Sequence, residues 1–487
     1  MKKKILKQAG IYTLSTQITQ FVTLIAAVLS RRFLGPTQMG IWATLQVIVD
    51  YSKYASLGAI YAVAKEVPYY LGKGEEETSR QIQNTVFTVV FFNTLLAGVG
   101  IFLFTFLTRG RFSEEVTYGF FLVPVIILLQ RLSDLLVSLL RGYKKFEIAS
   151  EQMITSAIIN SILVAFLSYH WKIYGFMAAF GLSLIYNIVY IQLRSPFHLG
   201  FYFNWERLKS VLAFAFPMML VGILSTVWGS IDKIAVAKKL GFEALGFYSI
   251  ALMVSNFLHS FFNSIAVVLF PYFQEKYSLQ DSPNDLRELL DKVSYAYALT
   301  MPLLIGSAWI VGPNLIALFL PKFTPGITAM QILGLSMFFM ALAEPYGHFL
   351  ITINKYVWLI PILGTTSLVA LISTLKAIDV GWGITGVAVA TTVSAWFNFT
   401  AYYFFASRNL GGAKAAFGKY FLLMSLGGYL GIVLLLIHQG ISSAIHSFIQ
   451  TGKQFCLFVV FSIPLLVLLN RETSLLSLIR QKVLVNR

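Results

Sequence analysis

Long apolar runs follow one another from residue 10 to residue 470, separated only by short polar breaks. A helix needs about 20 apolar residues to cross the hydrocarbon core of a bilayer. Read at that length, the pattern predicts fourteen transmembrane helices. Six fall in a first half, at 10–32, 40–69, 83–108, 117–140, 148–169 and 174–193. Six more fall in a second half, at 209–237, 246–273, 288–316, 327–351, 357–376 and 384–406, and two follow at 419–438 and 453–470. The expected fold class is therefore all-α, a polytopic membrane protein with almost nothing outside the bilayer.

The halves repeat one another. Leu34-Gly35 with Gly40-Ile41-Trp42 matches Leu240-Gly241 with Gly246-Phe247-Tyr248, an offset of 206. Further on the offset drifts to 211, where Lys144 matches Lys355, Gly175 matches Gly386, Ser183 matches Ser394 and Asn187 matches Asn398. Each half has an even number of helices, so both take the same orientation, related by an axis along the membrane normal. Transporters built this way place their site between the repeats. The expected organisation is a six-helix bundle at 1–200, its repeat at 201–410 around a central cavity, and two extra helices with a basic tail at 411–487. Residues 194–208, with Pro196 and Glu206-Arg207, form the linker between halves. The tail from Arg471 mixes Leu, Ile and Val with Arg and Lys; it reads as an amphipathic helix on the inner surface or as a disordered basic tail.

Composition agrees with this pattern. Hydrophobic residues make up 57% of the chain and charged residues 12%, against roughly 25% charged in soluble domains. The +16 formal charge does not indicate nucleic acid. With the N-terminus placed in the cytoplasm, Lys and Arg concentrate in the N-terminal segment, Arg141–Lys145, the linker and the tail, all on the inner side. This is the positive-inside pattern. An even helix count then puts both termini in the cytoplasm. The opening Met1–Lys7 resembles the start of a cleavable leader, but the segment after it is long, ends in Arg31-Arg32 and has no convincing cleavage site. It reads as a retained helix. One cysteine, Cys456, excludes a disulfide framework.

Charges within spans are few. Each costs roughly 2.5–3.5 kcal/mol at a helix centre, so each needs a partner or a wet cavity. Asp50 and Lys53 lie three apart on the second span, and Arg131 and Asp134 repeat that spacing on the fourth. Asp232 and Lys233 are adjacent on the seventh. On the eighth, Asn256 and His259 stand at the repeat positions of Asp50 and Lys53. Glu344 and His348 are one turn apart on the tenth. Each acid and its neighbouring base could form a silent buried pair, or together they could line a polar interior. Arg31 and Arg32 are interfacial anchors or guards of the outer mouth, and Lys65 snorkels to the inner surface. Acids within spans mark ion routes, so Glu344, Asp50 and Asp134, with His348, are candidates to couple H⁺ or Na⁺. No nucleotide-binding loop, metal-ligand spacing or channel filter is present, and no cofactor is expected. The short outer segments leave no room for a loop-borne catalytic constellation, so an enzyme is not the expected class.

Three stretches carry a family resemblance: Arg31-Arg32-Phe33-Leu34-Gly35-Pro36, Met39-Gly40-Ile41-Trp42, and Tyr70-Leu71-Gly72-Lys73-Gly74-Glu75. Ser230-Ile231-Asp232-Lys233, followed by Leu240-Gly241 and Gly246-Phe247-Tyr248, extends it. Together they resemble the bacterial polysaccharide flippases of the Wzx type, within the superfamily that also holds lipid II flippases and multidrug extruders. The resemblance implies a substrate of oligosaccharide on a polyprenyl pyrophosphate, moved across the bacterial cytoplasmic membrane for O-antigen, capsule or exopolysaccharide assembly. Membrane lipids and other polysaccharide-assembly membrane proteins are the implied partners. Lys53, Arg131, Lys233, His259, Asn256, Arg31 and Arg32 would then be the substrate-binding candidates. The first helix has no charge between Lys7 and Arg31, unlike the lipid II flippases, which points away from lipid II. A cation-coupled drug exporter and a membrane-embedded glycan-processing enzyme are the alternatives.

Overall fold

In the computed structural model, residues 2–195, 197–280, 283–410, 413–439 and 448–473 are described. The reading of the tail beyond Thr473, and that of the Lys65 side chain, falls outside the described residues. The helices are α1 (Lys2–Ser52), α2 (Ala59–Gly72), α3 (Glu76–Leu107), α4 (Glu114–Gly142), α5 (Phe146–Arg194), α6 (Trp205–Lys239) and α7 (Phe242–Gln280). There follow α8 (Arg287–Phe319), α9 (Ile327–Thr352), α10 (Leu359–Asp379), α11 (Gly383–Leu410), α12 (Ala413–Gln439) and α13 (Phe448–Thr473). No strand occurs among the described residues.

Two of these helices are hairpins. In α5, Trp171 and Lys172 leave helical geometry, and a Cβ built on Gly175 would lie 2.0 Å from the Leu167 carbonyl oxygen. Along a straight helix those residues would be about 12 Å apart, so the chain reverses between them. In α1 the break is at Gly35 (φ 77°). Ser161 Oγ donates to Val22 O, while Trp42 stacks edge-on against Phe176 and Phe180. Ser161 and Phe180 are level on the two legs of α5. Val22 and Trp42 must then also be level, although a straight α1 would separate them by about 30 Å. With both hairpins opened, every one of the fourteen expected spans is met by a helix, and the chain is an all-α, multi-pass membrane protein.

The surface is that of a protein in lipid. On α3, Phe92, Leu96, Val99, Leu103 and Phe106 are exposed along one face at three- and four-residue spacing. The opposite face buries Ser79, Gln83, Val86, Val90, Thr94 and Gly98.

The chain divides into two compact units, Met1–Gly246 and Phe247–Arg487. Helix α6 belongs to the first, where it packs on α1, α2 and α3. The segment leading into α6 is tied to the same unit. Gly200 N donates to Asn84 Oδ1 (3.1 Å) and Tyr202 N to Thr88 Oγ1 (3.0 Å), and Asn84 and Thr88 lie one turn apart on α3.

The repeat is visible in backbone detail. A Cβ on Gly40 would sit 1.7 Å from Phe242 O, and one on Gly246 would sit 1.9 Å from Pro36 O. At the offset of 206 these are the same contact with its partners exchanged, a local two-fold that only glycine permits. The turn after α4 and the turn after α9 are likewise one motif. Lys144 N bonds Arg141 O and Lys145 N bonds Leu140 O; Asn354 N bonds Ile351 O and Lys355 N bonds Leu350 O. Both are Schellman closures, with Lys144 (φ 57°) and Asn354 (φ 56°) in the left-handed position. The structural partner of Lys144 is therefore Asn354, one residue before the sequence match at Lys355.

Gly40→Ala is expected to force the Pro36–Gly40 and Phe242–Gly246 segments apart and lower the midpoint of thermal unfolding by several degrees. Gly364→Ala, inside α10 with open space around it, should leave the midpoint unchanged or raise it, because alanine is the better helix former by about 1 kcal/mol. Tryptophan fluorescence during a thermal ramp in detergent reads both.

Candidate functional site

The expected second span, 40–69, is not one helix. It stops at Ser52, passes through a 3₁₀ turn at Lys53–Ser56, and restarts at Ala59. Leu57 (φ 52°) and Gly58 (φ 76°) are left-handed, which only glycine adopts without strain. Gly58 also admits α6: a Cβ there would lie 3.0 Å from Ala215 O and 3.2 Å from Met219 Cβ. Serine hydroxyls bond back to the backbone at the break, Ser52 Oγ donating to Val49 O (2.6 Å) and Ser56 Oγ to Lys53 O (2.7 Å). Non-helical backbone at membrane depth persists only where protein or a water-filled cavity surrounds it.

Lys53 opens this break. Its ammonium lies over the Tyr54 ring, 5.1 Å from the centroid. Tyr54 OH bonds Thr226 Oγ1 (2.6 Å) and Tyr51 OH bonds Ser230 Oγ (2.9 Å). Thr226, Ser230 and Lys233 form one stripe of α6, at i, i+4 and i+7, facing the broken span. Lys233 Nζ approaches Asp50 Oδ2 at 4.0 Å. Asp50 thus has its ion pair with Lys233, from another helix, and Lys53 stands nearby; Lys233, Lys53 and Arg131 all act electrostatically on Asp50. Arg131 Nη1 meets Asp134 Oδ2 at 3.1 Å, and Gln130 Nε2 donates to Asp134 Oδ1 (3.1 Å). The Arg131 side chain is 8% exposed and Asp134 37%. Asp134 in turn feels Lys53. The first unit therefore gathers three bases and two acids around a helix break, with a formal surplus of one positive charge.

The second unit gathers a different set. His259 Nε2 on α7 lies 3.4 Å from Glu344 Oε1, and His348 Nε2 lies 3.4 Å from Glu344 Oε2. Asn256, one turn before His259, is exposed. Back in the first unit, which also holds Arg31 and Arg32, Asp232 is buried, and its Oδ1 accepts the Lys233 backbone N–H (2.7 Å). Arg31 is buried and donates to Ala27 O (3.0 Å), while Arg32 is exposed.

Residue patterns alone paired acids with bases along a single helix. Arg131–Asp134 and Glu344–His348 are of that kind; Lys233–Asp50 and His259–Glu344 cross between helices. Tyr51, Tyr54 and Thr226, and Ser230 beyond its place in the family motif, carry no site signal of their own in the sequence because hydroxyl-bearing residues are ordinary in apolar helices. The Thr226-Ser230-Lys233 spacing and the Ser-Leu-Gly sequence inside a span were the available signals.

A broken span lined by charges, in a chain whose described residues form fourteen helical spans, defines a multi-pass membrane protein with a transporter fold. Among solved structures, the lipid II flippase MurJ in an inward closed conformation matches at TM-score 0.72, with 17% identity over 95% of this chain and 99% of that one. An inward-facing multidrug resistance MATE family transporter of the MOP superfamily matches at TM-score 0.67, with 13% identity over 82% of this chain and 98% of that one. By sequence, the model of the polysaccharide biosynthesis protein family matches residues 5–276, and the chain belongs to that family. A Shigella flexneri protein named for O-antigen transport is 25% identical over 228 residues, which is 45% of this chain and 54% of that protein. The teichuronic acid biosynthesis protein TuaB of Bacillus subtilis is 25% identical over 174 residues, 35% of this chain and 34% of TuaB. The matched stretches thus span about half or less of these relatives.

Gly58→Ala tests the break. It strains a left-handed position by roughly 1–2 kcal/mol and presses on the Ala215 carbonyl. The expected result is a lowered unfolding midpoint, with larger loss of function than Gly364→Ala produces. Equal behaviour of the two variants in unfolding and transport assays would mean that the break is not required.

Proposed function

We propose that this protein is a flippase that moves polyprenyl-pyrophosphate-linked oligosaccharide from the inner to the outer leaflet of a bacterial cytoplasmic membrane by alternating access, for assembly of a surface polysaccharide. The observation that carries the reading is the basic cluster Lys53, Arg131 and Lys233 at a mid-span helix break, in a chain of the polysaccharide biosynthesis family. A pyrophosphate cannot enter hydrocarbon; an isolated ion there costs tens of kcal/mol by Born estimates. Bases at a polar break supply the missing solvation. Lys53 and Lys233 act as point charges, and Arg131 offers a planar fork for two phosphoryl oxygens. Asp50 and Asp134 hold Lys233 and Arg131 when no substrate is bound, and a more highly charged pyrophosphate displaces them. The start of α2 adds the uncapped N–H groups of a helix N-terminus, the end that favours anions. The glycan stays in the polar site while the lipid tail remains in the bilayer. Both termini lie in the cytoplasm, following the Lys/Arg distribution. No bond is made or broken, so the activity is transport rather than catalysis.

The test uses proteoliposomes carrying a lipid-linked oligosaccharide and an external glycosidase. Protein should raise the accessible fraction beyond the outer-leaflet share with the lipid chemically intact. A fraction that stays at the protein-free value across several glycans would sink the flippase reading and turn attention to small cations, the substrates of a drug exporter. Lys53→Ala and Arg131→Ala should each slow flipping roughly ten- to hundredfold, the equivalent of a lost charge-assisted bond of about 1.5–3 kcal/mol. Their unfolding midpoints should remain near that of the parent. Normal rates in both would remove these bases from the binding role.

A further inference from the structure

The trio His259, Glu344 and His348 lies apart from the basic cluster, in the second unit, and the flipping step above does not use it. Helix α9 is the most enclosed of the apolar helices. Ala341, Leu342, Ala343, Pro345, Tyr346, Gly347, Phe349 and Leu350 are all buried around Glu344. Glu344 keeps 24% of its side chain exposed, His348 29% and His259 36%. The partly exposed positions Met340, Glu344, His348 and Ile351 recur every three or four residues, so they form one stripe. A carboxylate and two imidazoles turned to lipid would be costly; the stripe therefore borders a hydrated opening within the second unit.

Each carboxylate oxygen of Glu344 faces one imidazole Nε2, His259 Nε2 at 3.4 Å on Oε1 and His348 Nε2 at 3.4 Å on Oε2. Tyrosines close the surroundings. Tyr297 of α8 and Tyr402 of α11 both lie within the electrostatic reach of Glu344. Tyr402 packs against Gly347, where an added Cβ would be 3.2 Å from its ring. Tyr297 OH donates to Phe262 O (3.2 Å). The titratable groups facing the carboxylate are thus His259 from α7, Tyr297 from α8, His348 from α9 and Tyr402 from α11.

We infer that His259, Glu344 and His348 form a proton-binding site that couples substrate movement to a proton gradient. Histidine exchanges protons in the physiological range, and a carboxylate between two imidazoles accepts one proton onto the trio without bond rearrangement. The proton arrives from water through the hydrated opening and returns to water on the other side. Sodium suits the site less well. It prefers several oxygen ligands, and both Glu344 oxygens here face nitrogens.

The coupling role rests on the flippase reading, so the experiment separates the two. Proteoliposomes are given an inward-directed gradient of one pH unit, and the steady distribution of lipid-linked oligosaccharide between leaflets is measured. One proton per cycle sets a limiting distribution of about tenfold per pH unit. The parent should approach that ratio, and Glu344→Gln should relax to a ratio near one. Infrared titration of the purified protein, without substrate, should show carboxylate and imidazole bands that change together with pH, a coupling that vanishes in Glu344→Gln. His348→Gln should lose the coupling of those bands while keeping a carboxylate signal, which guards against a misfolded variant. A Glu344→Gln protein that reaches the parent ratio would overturn the coupling role, as would a parent driven by a sodium gradient and indifferent to pH. If the parent distribution matches protein-free vesicles, the flippase reading fails instead, and the infrared titration alone decides whether the trio binds a proton. Bands unchanged by Glu344→Gln would overturn the site.

Discussion

Backbone amides in hydrocarbon have no water to bond, and the architecture of this protein depends on that constraint. Helices solve it along the described spans, and at Lys53–Gly58 the second span unwinds. There Ser52 and Ser56 bond back to the Val49 and Lys53 carbonyls, and α6 packs on Gly58. The break puts Lys53 beside polar side chains instead of inside a smooth cylinder. The basic cluster of the first unit depends on that placement.

Charge compensation is the second organising force. An ion left unpaired in a low-dielectric interior carries an uncompensated desolvation cost, so buried ions come in sets. The two units solve this differently. The first holds Arg131 on Asp134 and Lys233 on Asp50, with Lys53 against an aromatic face. The second holds one carboxylate between two imidazoles. Permanent bases suit a doubly charged phosphoryl group, whereas imidazoles suit an exchangeable proton. In the proposed cycle the repeat has therefore divided two tasks between related scaffolds: the bundle is shared, and the chemistry sits on side chains that differ at equivalent positions, Asp50 and Lys53 against Asn256 and His259.

The scaffold itself kept its symmetry where backbones touch. Gly40 and Gly246 make one reciprocal contact, and the turns at Lys144 and Asn354 close with the same bonds. Backbone geometry at a close approach tolerates no Cβ, so these positions match even where the surrounding sequence has drifted. A lysine in the left-handed position at Lys144 shows that the turn is imposed by its hydrogen bonds and not by its residue type.

The helices were legible in the sequence because bilayer thickness imposes a length and a hydrophobicity on each span, and both are local properties. The hairpins at Gly35 and Lys172 could be read for the same reason: short turns between apolar runs survive as punctuation. Which ions meet was not legible. Asp50 with Lys233 and Glu344 with His259 are contacts between helices distant in sequence, set by helix rotation and crossing, and many rotations satisfy the same hydropathy. The break in the second span also lay beyond reach, since Ser-Leu-Gly within an apolar run is compatible with an unbroken helix until α6 packs against it. The chain alone determined how many times it crosses the membrane and which charges it buries. Only packing decided where the backbone opens and which charges face one another.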